Sequence, residues 1–222
     1  LIEDSGNRRV HLKIVDVSDL GVVKDAEHYA DIESIDILVH NAGVLLSEPQ
    51  QTSTGIEQTL ATHLVGPLAL TGTLSHKLKK GSRIIWVSSG GMYAQKLKLP
   101  ALHHPPEPFD GVTAYAQVKR AMVIASEQLA EALGHRGIDV HCMHPGWAHT
   151  PGVKSSIPTF FKVTQAILRS PAEGADTVVW LAVAEHLSGE TGGFWFDRAK
   201  RTTHLFPGTT ASTTHRNELW RQ

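Results

Sequence analysis

Short apolar runs alternate with longer helical patterns along most of this chain. Val10-His11-Leu12-Lys13-Ile14-Val15 alternates with a period of two, which predicts a strand. It stops at Asp16-Val17-Ser18-Asp19, where Ser18 or Asp19 can cap a helix over roughly 20–32. Ile35 to Val39 predicts a second strand, followed by His40-Asn41-Ala42-Gly43. A helical stretch covers about 53–78, with a kink expected at Gly66-Pro67. Arg83-Ile84-Ile85-Trp86-Val87 predicts a strand that runs into the turn Ser88-Ser89-Gly90-Gly91. An irregular, proline-rich loop containing His103-His104 follows. Helix resumes near Thr113 and runs to about Leu133, where Gly134 and Gly137 end it. Ile138 to Met143 predicts a strand, followed by His144-Pro145-Gly146-Trp147. Pro171 opens another helix at its favoured first position, and Gly192 to Phe196 predicts a last short strand. Beyond about Pro207 the Thr/Ser-rich sequence is poor in apolar residues and reads as a flexible tail.

Strands that alternate with helices predict an α/β fold with a parallel sheet covered on both faces. No internal repeat interrupts the pattern, so one domain is expected. Ligands of such sheets bind beyond the carboxyl ends of the strands. Asp16, Asn41 to Gly43, Ser88 and Ser89, and Pro145 to Trp147 all directly follow predicted strands.

Composition narrows the reading only slightly. The 222 residues carry a formal net charge of −1, which argues against nucleic acid or an anionic membrane surface as a main partner. No apolar stretch approaches the ~20 residues needed to span a bilayer. A lone cysteine, Cys142, excludes an internal disulfide and fits a reducing compartment such as the cytoplasm. No targeting signal is visible. The chain opens with Leu1 rather than Met, in a polar segment, which reads as an interior starting point within a longer gene product.

The chemistry concentrates in Tyr115-Ala116-Gln117-Val118-Lys119. Residues i and i+4 share a helix face, so an ammonium is expected beside a phenol, favouring its ionised form below the usual pKa of about 10. A serine hydroxyl from the neighbouring strand end can hold a carbonyl oxygen beside that phenol. Such a set moves a proton to or from an alcohol or ketone oxygen while hydride moves on carbon.

Taken together, Asp16-Val17-Ser18, Asn41-Ala42-Gly43, Val87-Ser88-Ser89, Tyr115 to Lys119 and Pro145-Gly146 resemble, in order and approximate spacing, the short-chain dehydrogenase/reductase family. Asn-Ala-Gly or Tyr-x-x-x-Lys alone would be weak, whereas the ordered set is specific. The likeness covers roughly residues 10 to 200. A narrower set, including Ser88 to Met92, Phe109-Asp110-Gly111, Met143 to Trp147, Thr150 to Val153 and Gly174 to Thr177, resembles one branch within that family.

The resemblance implies a Rossmann-like doubly wound sheet and an NAD(P)-dependent oxidoreductase. Tyr115 would be the acid/base and Ser89, the second of its pair, the contact to substrate oxygen. Lys119 would support the phenol and bind the nicotinamide ribose. Asp16 and Val17 would meet adenine. Asn41, Ala42 and Gly43 would lie along the cofactor, and Pro145, Gly146, Trp147 and Thr150 beside the nicotinamide amide. The partner implied is a small alcohol or carbonyl compound. A homo-oligomer formed through the helices around 53–78 and 113–133 is a further expectation.

Two departures stand against that pattern. The family's opening Thr-Gly-x-x-x-Gly-x-Gly turn, which cradles the pyrophosphate at a helix N-terminus, does not occur in this sequence. Leu1 falls just before the family's third strand, so the first βαβ segment is lacking, and NAD cannot be told from NADP without it. Val10–Val15 then loses its neighbours and Ile35–Val39 gains an unpaired side. The second departure is His63, where the family has an asparagine that holds a helix kink and a proton-relay water; imidazole can pass protons too, so His63 joins the catalytic set. Weak cofactor binding follows as an expectation, and a non-catalytic scaffold or binding protein stands as the alternative.

Plainer readings accompany each residue. Tyr115 can be a surface tyrosine, Ser89 a capping serine, Asp16 a helix cap, Asn41 to Gly43 an ordinary turn, and Pro145 to Thr150 a proline-fixed loop. His141 and His144 fall on opposite sides of a strand, which makes poor chelation geometry, so no metal is expected. Trp86, Trp180 and Trp195 read as core, while Trp147 and Phe160-Phe161 read either as pocket lining or as loop.

Overall fold

The structure, a computed structural model, describes residues 6–147 and 168–221. Its centre is a five-stranded sheet: β1 (Ile35–His40), β2 (Leu78–Val87), β3 (Asp139–Met143), β4 (Gly193–Phe196) and β5 (Ala199–Lys200). The strands lie side by side in chain order; the first four are parallel and β5 turns back antiparallel on β4. Ile84 pairs with Val140, Trp86 with Cys142, and Cys142 with Phe194.

Period-two alternation explains why the sheet is covered on both sides. Ile84, Trp86, Val140, Cys142 and Phe194 point into one core. Ile85, Met143 and Trp195, each one residue along, point into the other. The larger core packs under α2 (58–74) and α4 (Gly111–Leu133), with α6 (Thr213–Arg221) against α4. The other is covered by α5 (Pro171–Val183). Trp86 and Trp195 are buried and Trp180 partly so, as their apolar surroundings in the sequence imply.

Local chemistry sets most boundaries. Asp110 caps α4 through the Val112 N–H, and Gly137 follows it at φ 65°, a left-handed position that glycine occupies without strain. Ser170 and Glu173 form a reciprocal capping box with Pro171 at the first turn of α5. The expected helix over 20–32 is shorter. Asp19 caps α1 (Leu20–Lys24), after which Asp25 turns extended and its carboxylate caps a separate turn, Ala26–Tyr29.

The strand expected over Val10–Val15 does not form. Leu12 is 80% and Ile14 85% exposed, and Lys13 ties the segment to the His28 carbonyl at 3.0 Å and to Asp31 at 2.7 Å. A strand exists only through a partner's N–H and C=O groups, and among the described residues none faces this segment in a sheet. β1 is correspondingly an edge strand, with Ile37 and Val39 part-exposed. The proline-rich loop includes the short helix α3 (Leu99–His103). The sequence read as a tail contains α6, whose Leu219 is buried and whose Arg216 pairs with Glu127 of α4.

In α2 the expected kink takes a specific form. The helix begins as Gln58–Leu60, widens into a π turn over Ala61–Val65, and resumes as Gly66–Leu74. Gly66 donates back to the Ala61 carbonyl, five residues earlier, and Pro67 has no N–H for the His63 carbonyl. A Cβ at residue 66 would overlap the Val17 carbonyl, so only glycine lets the 16–18 turn lie against the helix.

Candidate active site

The carboxyl ends of β1, β2 and β3 open onto one edge, where the turns 41–43, 88–91 and 144–147 sit. α4 crosses that edge and presents Tyr115 and Lys119 one helical turn apart. The two neighbouring serines have different jobs. Ser88 is buried and donates to the Lys119 carbonyl at 3.1 Å, tying β2 to α4. Ser89 caps the turn Gly90–Ala94, accepts the Gly91 N–H at 3.2 Å, and has its hydroxyl beside the Tyr115 phenol. Lys119 Nζ lies 5.3 Å from the centre of the Tyr115 ring and donates to the Val87 carbonyl at 2.8 Å.

His63 completes the cluster. Its ring meets Tyr115 edge-on with centres 5.3 Å apart. Nε2 lies 2.8 Å from the Val44 carbonyl and 3.0 Å from the Val44 N–H, and Nδ1 is buried without a partner. A Cβ on Gly43 would strike the imidazole, so the ring is seated directly on the 41–44 turn.

Electrostatics here differ from the expectation that the lysine makes the phenol acidic. Burial pushes the Tyr115 pKa up, and the neighbouring Ser89 hydroxyl pulls it partly back. Burial also draws Lys119 down to about 7. The ammonium gives its hydrogen bond to a backbone carbonyl, so desolvation outweighs any help it offers the phenol. Burial, followed by the nearby Lys119, holds His63 neutral, at about 3.

The remaining candidates take their places around this centre. Asp16 is exposed and accepts from the Ser18 N–H at 2.9 Å and its hydroxyl at 2.7 Å, which is the capping arrangement of a plain turn. Val17 is the residue seated on Gly66. Asn41, Ala42 and Gly43 are exposed at the end of β1. Pro145 and Gly146 are partly covered and Trp147 is 56% exposed. Thr150 and Phe160-Phe161 lie outside the described residues.

Three further residues shape this neighbourhood through contacts that sequence spacing does not show. His144 stacks on Phe196 at 4.1 Å, and the Arg169 guanidinium lies 4.6 Å from the centre of that ring. Arg169 covers Gly146 and pairs with Asp197. Arg120, the neighbour of Lys119, is buried and donates to the Thr203 and Thr209 carbonyls, clamping the chain after β5 onto α4. The partners are far apart in sequence, so no local pattern announces them. His141, which has no role at this edge, is buried in the second core with Trp195 Nε1 donating to its Nδ1 at 3.2 Å.

A sheet of this order with a Ser–Tyr–Lys cluster at its carboxyl edge defines a class, and sequence comparison supports it. The family described as enoyl-(acyl carrier protein) reductase matches residues 2–192. Human dehydrogenase/reductase SDR family member 12 is 40% identical over 222 residues, covering 98% of this chain and 69% of that protein. Among solved structures, a dehydrogenase/reductase from Sinorhizobium meliloti superimposes with a TM-score of 0.65 at 25% identity, over 95% of this chain and 78% of that one. A short chain dehydrogenase from Burkholderia cenocepacia, solved in complex with NADP, gives 0.65 at 24% identity over 87% and 76%. The chain belongs to the short-chain dehydrogenase/reductase family. Within it, the narrower sequence likeness falls on the branch of member 12.

Proposed function

We propose that this protein interconverts an alcohol and a ketone or aldehyde, with NAD or NADP as hydride carrier. The observation that carries the reading is the Ser89 hydroxyl beside the Tyr115 phenol, with Lys119 Nζ 5.3 Å from the phenol ring, at the carboxyl edge of the sheet. In the reductive direction Tyr115 gives its phenolic proton to the substrate oxygen. Ser89 holds that oxygen in place by donating a hydrogen bond. Lys119, when charged, favours the phenolate left behind. Oxidation reverses each step. A bound nicotinamide supplies or takes the hydride on carbon.

The residues present suit the nicotinamide end of such a cofactor. The exposed turn at 41–43 and the partly covered turn at 145–147 lie at the same carboxyl edge as the cluster, and the orphaned Nδ1 of His63 needs a polar partner. Lys119 would meet the ribose, and Pro145 to Trp147 the carboxamide. The pyrophosphate end is served less well, because no glycine-rich turn occurs in the sequence.

Assay of NADPH and NADH oxidation against a panel of aldehydes and ketones tests the reading. Tyr115→Phe should lower turnover by about 10²–10⁴-fold with the fold intact; a variant as active as the parent would overturn the assignment. Calorimetry on the 222-residue chain should show no binding on the order of micromolar, and a chain with a glycine-rich strand–turn–helix placed before Leu1 should recover it. Tight binding by the shorter chain would sink that expectation. The second reading, a non-catalytic scaffold, draws on the same features: a phenol raised by burial and a lysine half-discharged near neutral pH. Inactivity of both chains despite cofactor binding would favour it.

A further inference from the structure

We propose that His63 is a positioning residue that locks the cofactor-side turn to Tyr115 as a neutral imidazole, with Nε2–H on the Val44 carbonyl and Nδ1 held open to accept a hydrogen bond from a hydroxyl. This deepens the reading above and rests on it. Three observations converge. The ring is 1% exposed, and it touches two functional elements: Gly43, where a Cβ would strike Cε1, and the Tyr115 ring, edge-on with centres 5.3 Å apart. Nε2 faces the Val44 carbonyl at 2.8 Å and the Val44 N–H at 3.0 Å, and one nitrogen can serve only one of them at a time. Nδ1 is buried and unpartnered, which is costly unless a ligand or water completes it.

The tautomer follows from the surroundings. The shorter contact is to the carbonyl, which calls for a proton on Nε2. That leaves a lone pair on Nδ1, which suits the nearby positive charge of Lys119, whereas an N–H there would not. A relay through this ring would need a proton accepted at Nδ1 and released at Nε2, but Nε2 meets only backbone. Imidazolium is further disfavoured by burial. His63 is therefore an orienting acceptor, and the proton-passing role expected from sequence does not fit its seat. The hydroxyl it accepts from belongs either to bound cofactor or to an ordered water.

Histidine-selective ¹⁵N NMR on the full chain tests this, with His63 assigned by the resonances lost in His63→Asn. Expected is a neutral ring protonated on Nε2 throughout pH 5.5–8. Adding NADPH at millimolar concentration should move the Nδ1 resonance in the direction of an accepted hydrogen bond; a resonance already in that position without NADPH identifies water as the donor. Titration of His63 within that range, or a proton on Nδ1, overturns the proposal. Gly43→Ala gives an independent check, since it must displace the ring and shift the Tyr115 aromatic resonances; unmoved resonances overturn the lock. If the chain turns over, His63→Asn should change KM for the nicotinamide more than kcat and leave the pH profile in place, and a displaced acid limb would restore the relay. A chain that binds no NADPH while His63 keeps the Nε2–H form removes the cofactor reading and supports the positioning role alone.

Discussion

Lys119 shows how one side chain can serve chemistry at the expense of the fold. It is 3% exposed, no carboxylate among the described residues bonds to it, and it donates to the Val87 carbonyl. Its pKa near 7 means that the native state sheds a proton the unfolded chain keeps, so folding bears that cost throughout neutral pH. Lys119→Met should therefore stabilise the protein by about 1–3 kcal/mol, or several degrees in Tm, while abolishing turnover. Differential scanning calorimetry decides it; a lower Tm would mean that the Val87 contact outweighs desolvation. Tyr115 and Lys119 were legible in the sequence as a spaced pair. The direction of their pKa shifts was not, because spacing places two groups on one face without saying how much water reaches them.

Helix α2 carries a lesson about backbone rather than side chains. Gly66-Pro67 marks a break in the sequence, but the widened turn over Ala61–Val65 ends where Gly66 lies so close to the Val17 carbonyl, 49 residues away, that no Cβ fits. Gly66→Ala should cost about 1–3 kcal/mol through overlap that neither backbone can relieve, read as a lower urea midpoint. An unchanged midpoint would show that the 16–18 turn does not rest there. His63 belongs to this same turn, so its ring is aimed at Val44 and Tyr115 by a helix irregularity that no hydrophobic period encodes. The failed strand at Val10–Val15 teaches the converse: its alternation is as regular as that of a true strand, yet pairing requires a neighbour.

Four buried histidines among the described residues shape the behaviour of the molecule in acid. Burial holds His40 and His63 at about 3 and His141 and His144 at about 4. Unfolding returns each to about 6.5, so below that pH the unfolded chain binds more protons than the native one. Their contribution is complete above about 6.5 and is lost as pH falls towards 3–4, with a slope approaching roughly 5 kcal/mol per pH unit near pH 5. Chemical denaturation at stepped pH should show stability collapsing between pH 6 and 5; a flat profile there would mean that these rings are hydrated in solution.

Alternation of apolar residues with period two, helical spacing and capping residues were enough to place β1 to β4 and helices α4 and α5, because each rests on interactions a few residues long. The motif residues could be listed from the same text. Their meeting could not: Ser89, Tyr115, Lys119 and His63 come from a strand end, one helix and the π turn of another, and their burial depends on every layer packed around them. Charge state, hydrogen-bond partner and tautomer are properties of that enclosure. Local sequence sets which groups are available, and long-range packing sets how much water each one keeps.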